Sequence, residues 1–237
     1  MMGHIAEASP LFKARIAGVF YLLTFLTGGF AIYVGDKLVV DGNAAATASH
    51  ILANRSWVLL GFAADIAVIA CYVTVTALFY GLFKPVSQSL SLLAACFSLV
   101  GCTIQAFSSF FDLAPLIVLG GAQYLSVFKV EQLQALALMF SELGGQAYKV
   151  GLVFFGLYCL LIGYLIFRST FLPRILGVLM AFAGLGWLTF LQPLLASHLW
   201  PYIALPGFIG EGSLTLWLLV MGVNGQRWKE QAELAGA

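Results

Sequence analysis

The chain has 237 residues, of which 62% are hydrophobic and 9% charged, and its formal net charge is +1. Soluble domains carry roughly 25% charged residues, so the composition excludes that class and identifies an integral membrane protein. The near-neutral balance leaves no basic footprint for nucleic acid. Cys71, Cys96, Cys102 and Cys159 sit singly in apolar runs with no CxxC pair, which argues for neither disulfides nor a zinc site.

A helix needs about 20 largely apolar residues to cross the hydrocarbon core, and six segments meet that requirement. The first, 16–34, follows Lys13 and Arg15. Its apolar run exceeds the roughly 7–15 residues of a signal peptide, so it is expected to be retained as a span. "GNAAATASHILANRS" then reads as an amphipathic surface helix before the second span, 56–83. That span carries Asp65, Tyr72 and Thr76 at spacings of seven and four, which stacks them on one helical face. The third, 86–118, carries a longer stripe of Ser91, Ser98, Cys102, Gln105, Ser109 and Asp112, with Pro115 expected to kink its end. "KVEQLQALALMFSEL" reads as a second surface helix before the fourth span, 141–167, in which Glu142, Gln146 and Lys149 share a face. The fifth, 175–191, offers Gly177, Ala181 and Gly184 for close helix contact. The sixth, 202–224, holds Glu211 between Gly210 and Gly212, either for packing or to loosen the helix so that a carbonyl reaches a ligand. The expected fold is an all-α polytopic membrane bundle, one six-helix domain over residues 1–237. "RIAGVF" at 15–20 and "RILGVL" at 174–179 hint at an internal repeat, although any inward-anchored helix shares that look.

The basic residues orient the bundle. Lys13, Arg15, Lys84, Arg168, Arg174, Arg227 and Lys229 fall on one side, against Lys37, Arg55 and Lys129 on the other, so both termini are expected in the cytoplasm. Tyr33, Trp57, Tyr124, Trp200 and Tyr202 would then ring the outer interface and Trp228 the inner one.

Depth singles out the site candidates. Asp65 and Glu211 each lie about nine residues into spans that run inward, or about 13 Å at the helical rise. Lys149 falls at a similar level, and Gln105 and Asp112 come out there on the span that runs outward. Charge inside a span costs about 2.5–3.5 kcal/mol per residue and usually faces a bundle interior. Asp65 and Glu211 are too short to snorkel, so both are expected on the wall of an outward-facing polar cavity. Lys149 tunes them there, and Gln105, Tyr72 and Asp112 add polar contacts. Alternatively Lys149 snorkels, Glu142 is interfacial, and the Ser stripe merely packs helices. One cation cannot neutralise two carboxylates, so either one acid is held neutral by desolvation or a cation is bound.

Enzymatic signatures are sparse. His4 lies in the N-terminal tail, and His50 and His198 lie in outer loops, so no span holds a histidine for zinc or haem. No HExxH, GxSxG, Walker A or dinucleotide fingerprint occurs. No cofactor and no metal are expected.

"EQLQALALMF", "GLVFFGLYCLLIGYLIFRSTFLPRILGVL", "IGEGSLTLWLLVMGVN" and the early "RIAGVFYLL" resemble the bacterial membrane-protein family called domain of unknown function 4386, from about residue 15 to 224. The resemblance implies a six-helix inner-membrane protein and assigns no activity. Asp65 and Glu211 fit the family pattern, while Tyr158 stands where members often carry the histidine of "FFGLH". The leading functional expectation is a proton- or cation-linked protein that binds or transports a small molecule in the cell inner membrane, in contact with the lipid bilayer and acting as a homodimer. The alternatives are a membrane-embedded enzyme using paired carboxylates on a lipid or isoprenoid, and a non-catalytic accessory subunit.

Overall fold

The computed structural model describes residues 9–236, so His4 lies outside the described residues. Those residues form nine α-helices in chain order. α1 (Pro10–Leu38) exits into a turn at Gly42, whose φ of 67° is one that glycine tolerates without strain. Asn43 then caps α2 (Ala44–Ala53), its side chain accepting the Ala46 amide at 3.0 Å. Buried Thr47 holds α2 to the α1 exit, its hydroxyl accepting from the Val40 amide at 2.9 Å. α3 (Arg55–Phe83) and α4 (Gln88–Val118) cover the second and third expected spans.

α5 (Val130–Arg168) departs from expectation, because the stretch read as a separate surface helix is continuous with the fourth span over 39 residues. No proline interrupts it, and Ser141, the one residue placed to cap a fresh helix, bonds back to the Ala137 carbonyl at 3.3 Å. α6 (Arg174–Leu188) continues into a single 3₁₀ turn, Thr189–Leu191. α7 (Pro193–Leu199) and α8 (Ala204–Val220) meet at an angle of 79°, and Gly222, with a φ of 66°, ends the sixth segment sooner than the sequence suggested. Asn224 caps α9 (Gly225–Leu234) by accepting the Arg227 amide at 3.1 Å. Five helical segments are long and apolar enough to cross a bilayer, and the bent α7–α8 pair makes a sixth. The chain is therefore the expected all-helical polytopic bundle.

The helices supply two compact units. The first comprises residues 23–70 and 102–151, where Val34, Leu38, Ile51 and Val58 form an apolar cluster with Leu116 and Leu119 packed on it. Within it α5 approaches α4 closely at Gly144, whose carbonyl accepts from the Ser108 hydroxyl at 2.8 Å.

The second unit comprises, of the described residues, 9–22, 71–101 and 152–236. Here paired glycines bring α5 and α6 to backbone contact: a Cβ on Gly163 would stand 2.7 Å from the Gly177 carbonyl oxygen, and one on Gly184 would stand 2.7 Å from that of Gly156. Seven residues separate the two positions on each helix, so the contact repeats along one face. Gly18 approaches the α8 backbone in the same way, with 2.9 Å between an added Cβ and the Leu219 nitrogen. The glycines of "RIAGVF" and "RILGVL" are thus both close-approach positions.

The flanks of Glu211 divide by role. A Cβ on Gly210 would run into the Leu179 carbonyl and lie 2.9 Å from the Ala183 Cβ, whereas one on Gly212 would meet nothing within 4 Å. Gly210 therefore serves packing. Replacing Gly210 with Ala should cost about 1–3 kcal/mol by overpacking a backbone contact. Gly212→Ala should be neutral or gain up to about 1 kcal/mol of helix propensity. Thermal unfolding of the two variants in detergent checks this, with a lowered midpoint for Gly210→Ala alone as the expected result.

Candidate functional site

In the unit of residues 23–70 and 102–151, parts of α1, α2, α3, α4 and α5 line a half-open cavity of about 260 Å³. Asp65 reaches it from α3, and Gln105 and Asp112, two turns apart on one face, reach it from α4. The Asp65 and Asp112 carboxyls are neighbours, Asp65 half-buried and Asp112 exposed on α4. Two carboxyls that share a site favour a proton on one of them.

The remaining polar groups divide into used and unused. Ser108 donates to the Gly144 carbonyl and Ser109 donates to the Gln105 carbonyl at 3.1 Å, so both hydroxyls serve helix packing. The Gln105 side chain is 8% exposed and lines the cavity, and no side-chain partner holds its amide among the described residues. Most of the wall is apolar, from Val34, Leu38, Ile51, Val58, Phe62 and Val68, and the missing side chains at Gly35 and Gly145 leave open space. Among the described residues, no lysine, arginine or histidine lines it.

Glu211 sits in the other unit among donors. Its Oε2 accepts from the Tyr21 hydroxyl at 2.6 Å and the Tyr72 hydroxyl at 3.4 Å, and its Oε1 accepts from the Trp187 indole N–H at 2.7 Å. The buried Cys159 thiol on α5 lies beside the same carboxylate. α1, α3 and α6 thus each supply a donor to a carboxylate on α8, and together they engage both of its oxygens. Gly207, one turn before Glu211, leaves the slot that the Trp187 indole fills, since a Cβ there would overlap the ring. The Tyr21 and Tyr158 rings set their edges against Tyr72, with centroids 5.7 and 5.9 Å away. Tyr158 therefore belongs to this cluster.

The structure gathers the sequence candidates into two groups rather than one. Asp65, Gln105 and Asp112 line the cavity, Tyr72 and Glu211 join the aromatic cluster, and Lys149 belongs to neither, being exposed on α5 with Glu142 and Gln146. The stripe on α4 also divides. Ser98 bonds the Thr76 hydroxyl at 2.5 Å and Ser91 bonds the Tyr80 carbonyl at 3.1 Å, so in that unit the stripe is helix-packing glue. Sequence reasoning missed Tyr21, Trp187 and Cys159. The available signal was a phenol and an indole inside apolar spans, each with a polar atom that needs a partner when buried.

Comparison with known proteins extends this picture without adding an activity. An uncharacterized protein of Archaeoglobus fulgidus is 29% identical over 151 residues, which cover 63% of this chain and 76% of that protein. No solved structure matches the chain. The sequence pattern of one family matches residues 16–222, from the second turn of α1 to the glycine that ends α8, and the chain belongs to that family, described as Domain of unknown function (DUF4386).

Proposed function

We propose that the cavity lined by Asp65, Asp112 and Gln105 binds a small cation in competition with a proton, as the ligand site of a multi-pass binding or transport protein. The observation that carries this reading is the pair of neighbouring carboxyls on a cavity wall that bears no basic residue among the described residues. With one proton the pair holds a single negative charge. An apolar wall makes that charge costly unless a cation or a second proton joins it. Tyr148 is the other titratable group on the wall. The distribution of basic residues supports a cytoplasmic-membrane orientation with both termini inside and the cavity opening outward. Glu211 stands apart from the ligand, because donors from three helices already engage both of its oxygens; its role in this reading is to hold the helices together.

Asp65→Asn and Asp112→Asn should each weaken binding of small monovalent organic cations at least about tenfold, equal to about 1.4 kcal/mol, while Lys149→Gln binds as wild type. Binding isotherms on the purified full chain decide this, and unchanged affinity in both Asp variants ends the proposal. Affinity should fall as the pH is lowered, because a second proton neutralises the pair and removes the charge that attracts the cation. Glu211→Gln puts an amide NH₂ against O–H and N–H donors, so it should lose about 1–3 kcal/mol of stability. A lowered unfolding midpoint, with cation affinity retained in the folded fraction, is the expected result.

A further inference from the structure

The cation-site reading leaves the class of cation open, and the polar geometry of the cavity narrows it. We propose that the occupant is a protonated primary or secondary amine with a compact apolar body, rather than a quaternary ammonium or a metal ion. This inference rests on the reading of the cavity as a cation site.

Three observations support it. The first concerns the Gln105 amide, which is 8% exposed, lacks a side-chain partner among the described residues and lines the same cavity as Asp65 and Asp112. The amide atoms keep their access to the cavity, where an occupant can bond them. Its oxygen and the carboxyl oxygens together form a set of acceptors, which calls for a cationic head with several N–H donors. An ammonium group has them, as the three donors of a lysine head illustrate, and a quaternary nitrogen has none. Quaternary ions are recognised by cages of aromatic faces, whereas the aromatic side chains lining this cavity are Phe62 and Tyr148.

The second observation is the make-up of the wall. Calcium takes about 6–8 oxygen ligands and magnesium a near-ideal octahedron. Here the Ser108 and Ser109 hydroxyls already donate to backbone carbonyls, and most of the surface is aliphatic. That surface fits hydrocarbon better than a hydration shell.

The third is size. A cavity of about 260 Å³, at the roughly 30 Å³ that each water occupies in the liquid, has room for about nine non-hydrogen atoms. A head of one nitrogen then leaves room for a body of six to eight carbons at about that scale. Charge agrees with this choice: a monovalent ammonium neutralises a carboxyl pair that retains one proton, with no basic side chain on the wall to compete.

The test compares n-hexylammonium with hexyltrimethylammonium, which share a chain and a charge and differ in the head, three N–H donors against three N-methyl groups, by calorimetry on the full chain in detergent at neutral pH; the Gln105 variant separates the donors from the added bulk. n-Hexylammonium should bind at least about tenfold tighter, and Gln105→Leu should shrink that preference by weakening n-hexylammonium while leaving hexyltrimethylammonium unchanged. If Gln105→Leu does not fold, Gln105→Met, which keeps the length of the side chain without its amide, serves in its place. Equal or tighter binding of hexyltrimethylammonium overturns the amine assignment and leaves the cation site standing, as does a preference that survives loss of the amide. If neither ion binds the folded wild-type chain, the cation-site reading fails and the inference fails with it.

Discussion

A carboxyl group inside an apolar helix bundle has to be met by donors, a proton or a cation, because the desolvated charge alone is too costly to keep. Glu211 in one unit and the Asp65–Asp112 pair in the other meet that demand in two ways. Glu211 draws donors from Tyr21, Tyr72 and Trp187, so one side chain on α8 gathers α1, α3 and α6 around it. Asp65 and Asp112 lie beside each other and beside open space, with no basic partner among the described residues. The first arrangement is satisfied by protein donors, whereas the proposed cation site would complete the second.

The donors reach Glu211 because the helices around it come unusually close. Glycine at positions 156, 163, 177 and 184 removes the side chains that would otherwise separate α5 from α6, and Gly210 does the same between α6 and α8. Gly207 then opens the slot for the Trp187 indole, whose N–H points at the carboxylate. Small residues here determine a hydrogen-bond network as well as a packing distance. In the cavity unit glycine has the opposite effect: at Gly35 and Gly145 an added Cβ would meet nothing, and the absent side chains contribute volume.

Much of this could be read from the residues. Hydropathy located the spans, the α4 stripe marked a face that is buried from Ser91 to Ser109, and the GxxxAxxG pattern of α6 marked a close contact. The partners of each carboxyl could not be read. Counting residues along a span gives depth, so Asp65 and Glu211 fell at one level, but depth does not specify which helices are neighbours or how each is rotated. Tyr21 and Trp187 escaped notice because an aromatic in a span reads as apolar, although their O–H and N–H satisfy Glu211. Lys149 misled in the other direction. Its spacing from Glu142 and Gln146 identified a shared face correctly, yet that face is exposed. The length of α5 was hidden for a related reason, since an amphipathic run with no helix-breaking residue after it simply continues.

The division of labour between the carboxyls can be tested by chemistry that distinguishes them. An apolar carbodiimide modifies a protonated carboxyl that it can reach from an apolar space, and peptide mass mapping identifies the residue modified. The expected result is N-acylurea at Asp65 or Asp112, suppressed by N,N-dimethylbutylammonium, a tertiary cation that keeps an N–H donor but forms no amide with an activated carboxyl, with Glu211 untouched. Modification at Glu211, or modification of the aspartates that no cation suppresses, would contradict the assignment of the binding site to the carboxyl pair.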